Sequence, residues 1–125
     1  MVVGIGTDIV EIARIAAVLD RQGDAFVKRI LTVSEQVHYQ ASNQKPAFLA
    51  KRFAAKEAVA KALGTGIGSG ISFQDMTISN DDKGAPSVTL SGGAAQVASE
   101  KSAQKVLLSI ADEQKYAIAY ALLSD

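Results

Sequence analysis

The chain has no cysteine and only one histidine, His38, among its 125 residues. Disulfides, cysteine-based zinc sites, iron–sulfur clusters and thiol catalysis are therefore excluded, and one imidazole cannot form a histidine-rich metal site. Long apolar runs are also missing, since none approaches the roughly 20 residues that a membrane helix needs. Met1 leads into strand-like sequence without a basic targeting segment. We therefore expect a cytoplasmic protein that does not associate with membranes.

Hydrophobic residues make up 48% of the sequence, which is enough for a globular core. At this length one core buries about two thirds of the unfolded surface, so neither a disulfide nor a structural metal is needed for stability. We predict one domain over residues 1–125.

The formal net charge is zero, with 13 basic and 13 acidic side chains, which argues against a nucleic-acid-binding protein. The charges are unevenly distributed, however. Residues 1–63 contain nine basic and six acidic residues, whereas residues 64–125 contain four and seven. The surplus is greatest in residues 45–61, where five cations accompany the single acid Glu57.

Hydrophobic periodicity predicts an α+β fold. The predicted strands are residues 2–10, 75–79, 87–91, 106–110 and 116–123. The predicted helices run from Glu11 to about Gly23, from Ser34 to about Ala41, from about Pro46 to Leu63 and from Ala94 to Ser102. Glycine at every second position of residues 64–70 predicts a loop after the long helix.

The long helix places two cations, Arg52 and Lys56, inside its apolar arc of roughly 140°. Such cations need buried partners or an anionic ligand. Alternatively, their stems could extend to solvent and pair with acids elsewhere. Glu57 and Lys61, beside this arc, have the spacing of an ordinary surface ion pair.

Asp8 is the second exception to the pattern, because it lies in an otherwise apolar strand. A buried carboxylate must be paired, hydrogen-bonded or metal-bound; the alternative is that Asp8 caps the helix beginning at Glu11. Carboxylates without histidine or cysteine suit Mg²⁺, and Mg²⁺ with lysines suits chemistry on a phosphate or pyrophosphate. The residues alone therefore favour metal-assisted phosphoryl transfer.

Three segments carry a resemblance to a known family: GIGTDIVEI at residues 4–12, FLAKRFAAKEAVAKALGTGI at 48–67 and ADEQKYA at 111–117. The chain resembles the bacterial holo-[acyl-carrier-protein] synthases, the small type of 4'-phosphopantetheinyl transferase, over essentially its whole length. The resemblance implies an antiparallel sheet packed against one long helix and shorter helices, in a single domain that assembles as a homotrimer with sites shared between subunits.

The implied reaction transfers 4'-phosphopantetheine from coenzyme A to a serine of apo-acyl carrier protein for fatty acid biosynthesis and releases adenosine 3',5'-bisphosphate. By resemblance, Asp8 and Glu57 hold Mg²⁺, and Lys61 is a catalytic residue that contacts the same phosphates. Glu57 or a metal-held water could accept the serine proton. The resemblance further implies a coenzyme A pocket formed by Arg52, Lys56, Lys61, Gly64, Thr65, Gly66 and, from the adjacent subunit, Pro86.

The first helix presents Arg14, Val18 and Arg21, which with Arg29 match the surface on which relatives bind the acidic carrier protein. Patterning alone is equally typical of a solvated helix face. Two positions depart from the family: Leu107 replaces a histidine found in many relatives, and Ala25 stands where some have an arginine. A non-catalytic coenzyme A or nucleotide-binding trimer is therefore the alternative function, and a plain interaction domain is a third hypothesis.

Overall fold

Five helices, five strands and one 3-10 turn form the fold in the computed structural model, which describes residues 1–125. In chain order they are β1 (Val2–Glu11), α1 (Ile12–Gln22), α2 (Asp24–Ile30), α3 (Val33–Ala41), α4 (Lys45–Leu63), the 3-10 turn (Phe73–Asp75), β2 (Met76–Asn80), β3 (Pro86–Leu90), α5 (Gly92–Glu100), β4 (Lys105–Asp112) and β5 (Tyr116–Ser124). The predicted α+β class is confirmed, and the bounds of every predicted element agree within two residues.

The strands form two antiparallel sheets. Three of them pair in the order β1-β5-β4, and β2 and β3 form a separate hairpin. Asp8 lies opposite Ala119 in the register between β1 and β5. Strand β5 is therefore central and paired on both sides, while the outer edges of β1 and β4 have no strand partner.

The long helix α4 crosses the inner face of the three-stranded sheet. Small side chains are buried on both sides of this contact, including Ala54 and Ala58 on the helix and Ala117, Ala119 and Ala121 on β5. Because period-2 alternation directs successive strand residues to opposite faces, Tyr116, Ile118 and Tyr120 remain exposed on the outer face. The sheet thus has one face covered by α4 and one uncovered apolar face.

One helix was absent from the prediction. Helix α2 begins directly after Gly23, whose φ of 58° allows the sharp turn out of α1. It buries Phe26, Val27 and Ile30. No helix of the structure is sufficiently long and hydrophobic to span a membrane.

Candidate active site

Two glycines in β1 set the distance between this strand and α4. A Cβ at Gly4 would overlap the Ala62 carbonyl oxygen, and one at Gly6 would overlap that of Ala58 and lie 2.6 Å from the Ala62 nitrogen. Only glycine permits so close a backbone approach. The approach brings Asp8, which follows these glycines, alongside the last turns of α4.

Asp8 forms an ion pair with Lys61 across this contact. The Lys61 Nζ lies 3.0 Å from Asp8 Oδ1 and also donates to the Thr7 carbonyl at 2.9 Å. The predicted pairing of a strand carboxylate is confirmed, whereas the alternative of a helix cap is wrong, because Glu11 occupies the N-cap of α1 and no side chain caps it. Lys61 pairs with Asp8 rather than with Glu57.

Glu57 lies one helical turn before Lys61, and the charges of both Asp8 and Lys61 act on its carboxyl. Burial raises the pKa of its carboxyl, the nearby Asp8 charge raises it further, and Lys61 partly opposes the shift. A cation bound between the two carboxylates would relieve the repulsion that Asp8 exerts on ionised Glu57. No three or more acidic, histidine or cysteine side chains are grouped closely enough to hold a metal ion by themselves. The pair nevertheless fits Mg²⁺, which is commonly held by one or two carboxylates together with waters and substrate phosphates.

Lys56 does not face a ligand site, and its predicted contact with coenzyme A is wrong. Its side chain is fully buried and donates to Glu35 Oε1 at 2.6 Å and to the carbonyls of Ile30 and Phe73 at 2.7 and 3.1 Å. All three ammonium protons therefore have protein acceptors. Burial lowers the pKa of Lys56, while Glu35 opposes that shift. Of the alternatives for Lys56, a buried partner is confirmed, and extension of its stem to solvent is wrong.

Arg52 and Pro86, in contrast, line the same cleft. This cleft, of about 220 Å³, lies between α4, the β2–β3 hairpin and the end of β4, and is lined by Phe48, Lys51, Arg52, Asn80, Gly84, Pro86, Ile110 and Asp112. We call it the hairpin cleft. None of Asp8, Glu57 and Lys61 lines it. The structure thus brings the predicted site residues together in two separate groups within one chain.

The glycine loop follows the C-terminal end of α4. Gly64 ends the helix in the left-handed conformation with a φ of 88°, and Thr65 is exposed. The Lys101 Nζ lies 3.4 Å from the position that a Gly64 Cβ would occupy. The partial negative charge of a helix C-terminus disfavours anions. Lys101, whose sequence context gave no signal, adds a compensating cation at this end of α4.

The four residues predicted to bind the carrier lie on the first two helices. Arg14, Arg21 and Arg29 are exposed, and Val18 is half-buried. Leu107 lies on the uncovered face of β4, with 57% of its surface exposed. His38, the one histidine of the chain, lies on α3 and not on this sheet.

Comparison with known proteins agrees with this geometry. Residues 4–121 match the model of the 4'-phosphopantetheinyl transferase superfamily. The chain belongs to this superfamily. The resemblance inferred from the sequence is thereby confirmed, and the fold around β1 and α4 is that of a transferase.

Curated relatives and solved structures agree with this assignment. The transferase is 56% identical to "Holo-[acyl-carrier-protein] synthase" of Aliivibrio salmonicida over 94% of both chains, and 54% identical to that of Vibrio cholerae strain O395 over 98% of both. The structure of the Neisseria meningitidis synthase superposes with a TM-score of 0.93 at 38% identity over 100% of both chains. The Bacillus anthracis synthase, in complex with CoA (3',5'-ADP), superposes with a TM-score of 0.83 at 40% identity, over 98% of this chain and 96% of its own.

Proposed function

We propose that this transferase moves 4'-phosphopantetheine from coenzyme A to a serine of apo-acyl carrier protein and releases adenosine 3',5'-bisphosphate, for fatty acid biosynthesis. The observation that carries the proposal is the cluster of Asp8, Glu57 and Lys61, formed where β1 meets α4 in a chain of this superfamily. We place the protein in the cytoplasm, as the sequence analysis predicts.

Asp8 and Glu57 would hold Mg²⁺ in this proposal. The chemistry that the ion would supply there is neutralisation of charge on the pyrophosphate of coenzyme A as the adenosine bisphosphate departs. Lys61, whose side chain is 51% exposed, can turn from Asp8 to a phosphate oxygen. The serine proton would pass to Glu57 or to a water molecule beside it.

A homotrimer with shared sites accounts for the separation of the two residue groups. Arg52 and Pro86 lie in the hairpin cleft, away from Asp8, Glu57 and Lys61 of the same chain. The outer face of the three-stranded sheet exposes large apolar side chains that suit a subunit interface. These are Ile5, Ile9, Leu107, Tyr116, Ile118 and Tyr120. Assembly through this face would allow the hairpin cleft of one subunit to complete the acidic site of its neighbour.

The carrier would bind along α1 and α2. Arg14, Arg21 and Arg29 are exposed cations that complement an acidic partner, and Val18 provides an apolar contact between them. Gly64, Thr65 and Gly66 would line the coenzyme A site at the end of α4, with Lys101 nearby to offset the charge of the helix end.

Mass spectrometry tests the proposal. The chain is incubated with coenzyme A, Mg²⁺ and the apo-carrier protein of its own host. We expect the carrier mass to increase by one phosphopantetheine, and chelation of the metal to prevent the increase. Binding of coenzyme A without any increase would contradict the proposal and support the non-catalytic alternative.

A further inference from the structure

A buried charge cluster lies below the hairpin cleft, and of its three side chains only Arg52 has a role in the function proposed above. Glu35 of α3 and Lys56 and Arg52 of α4 are at most 7% exposed. Lys56 and Glu35 form a close ion pair, so they neutralise each other. Arg52 is therefore a surplus buried cation, which is costly unless an anion compensates for it.

The Arg52 guanidinium has few partners within the protein. Its Nη2 donates to Asn80 Oδ1 at 3.4 Å, and its Nε has no hydrogen-bond acceptor although it lies 3.7 Å from Glu35 Oε2. Five N–H donors are thus served by one long hydrogen bond. Because Arg52 lines the hairpin cleft, its remaining donors are available to an anion there.

Two neighbours fix the orientation of this guanidinium. The Phe48 ring centroid lies 4.8 Å from the Arg52 Cζ, and Glu35 Oε2 faces its Nε. Glu35 is itself immobilised, since its oxygens accept hydrogen bonds from the Thr32 and Ile78 amides, each at 2.8 Å, and from Lys56. A rigid carboxylate beside the Nε of Arg52 can hold the guanidinium so that its Nη donors point towards the cleft.

We propose that Glu35 is a positioning residue, which orients Arg52 in the hairpin cleft to bind an anionic phosphate group of coenzyme A. This inference rests on the proposed function. The role is separate from the contact between Glu35 and Lys56, which joins α3 to α4. If Glu35 acts only by positioning Arg52, its substitution should change coenzyme A affinity only while Arg52 is present.

The test measures coenzyme A binding by calorimetry and the kinetic constants of transfer. Glu35→Gln keeps the shape of the side chain and removes its charge. We expect coenzyme A to bind about tenfold more weakly, with the carrier KM and the kcat at saturating coenzyme A nearly unchanged. By charge alone, removal of an anion beside a cationic site would tighten phosphate binding, so the direction of the change separates orientation from simple electrostatics.

Arg52→Ala supplies the second arm of the experiment. We expect it to weaken coenzyme A binding at least as much as Glu35→Gln, and the double variant to bind no more weakly than Arg52→Ala. Lys56→Met is the matched control, because it removes the other partner of Glu35. We expect it to lower thermal stability while coenzyme A affinity stays within about threefold of wild type.

If Glu35→Gln does not fold, Glu35→Gln combined with Lys56→Met replaces the buried pair by neutral side chains, and the same loss of affinity is expected. Unchanged or tighter coenzyme A binding by a folded Glu35 variant would overturn the inference alone. The inference would also be overturned if Glu35→Gln and Arg52→Ala together weakened coenzyme A binding by the product of their separate effects. A wild-type chain that does not bind coenzyme A would overturn the proposed function as well.

Discussion

Glu57 shows how one residue can serve the site at the expense of stability. Its pKa is raised chiefly by burial and then by Asp8, so the folded chain holds this proton more tightly than the unfolded chain. Above the ordinary value of 4.5, the native state therefore binds more protons than the unfolded state, and stability falls as the pH rises. Once ionised, the carboxylate opposes folding.

Glu57→Gln should therefore separate stability from activity. At neutral pH we expect a melting temperature equal to or above that of wild type, with the difference disappearing as the pH falls below the ordinary value of 4.5, where both states are protonated. Metal-dependent transfer should be lost. Melting curves across this pH range and the mass assay measure the two effects.

Glu100→Gln makes the same chemical change on the exposed end of α5 and should leave transfer unchanged. A Glu57→Gln variant that is less stable than wild type at neutral pH would show that the carboxylate supports the fold. Near-normal metal-dependent transfer by this variant would show that it does not hold the metal.

Arg52 and Lys56 illustrate what could be predicted for single residues. Helical periodicity identified both as cations within an apolar arc. It could not predict which of them has a buried partner, because Glu35 lies on a different helix and reaches Lys56 only through the packing of α3 against α4. Glu35 itself gave no signal, since an acid in the first turn of a helix is ordinary.

At the scale of elements, the contact between β1 and α4 determines the acidic site. Gly6→Ala would push the Ala58 carbonyl away from the strand, and we expect it to lower the free energy of unfolding by about 3 kcal/mol. Because the shift separates β1 from α4, transfer should fall even in the folded fraction. Denaturant unfolding and the transfer rate at low temperature check these effects.

Gly23→Ala is the matched control for that substitution. Gly23 has a φ of 58° but no atom within 4 Å of an added Cβ, so only backbone strain is expected. Because its ψ of −136° lies outside the left-handed helical region, in conformations that are essentially restricted to glycine, the loss should be about 2 kcal/mol, with transfer preserved. Equal stability of the wild-type and Gly6→Ala chains would contradict the assigned contact.

The elements were mostly predictable because their periodicities are distinct. The glycines in β1 indicated close backbone approach, and the structure identifies α4 as the partner. Helix α2 was missed because it has only seven residues and follows α1 after the single residue Gly23. Two turns of helix give too short a hydrophobic pattern to distinguish a helix from a loop.

Helix α1 supports a prediction about the carrier. Arg14→Glu should raise the KM for the carrier far more than the KM for coenzyme A, and the wild-type carrier KM should rise with salt. Lys105→Glu makes the same charge change at the opposite end of the sheet, and should leave the carrier KM unaltered. Steady-state kinetics with each substrate varied in turn check this, and equal effects of Arg14→Glu on both KM values would contradict a docking role.

At the scale of the whole molecule, the residues proposed to form the site lie in two places. Asp8, Glu57 and Lys61 lie where β1 meets α4, whereas Arg52 and Pro86 line the hairpin cleft. The resemblance implied shared sites with Pro86 from a neighbouring subunit, but it did not separate Arg52 from Glu57, because the two belong to one continuous helix. The uncovered apolar face of the sheet supports the proposal that a second subunit joins the two parts.

Complementation between inactive subunits tests this account most directly. Asp8→Ala and Arg52→Ala chains are co-expressed, and phosphopantetheine transfer is measured by mass spectrometry at a coenzyme A concentration at which each variant alone is inactive. If each site takes Asp8 from one subunit and Arg52 from its neighbour, random assembly of a cyclic trimer restores about a quarter of the wild-type sites. We predict that recovery. Mixed trimers that remain as inactive as the separate variants would contradict a site shared between subunits.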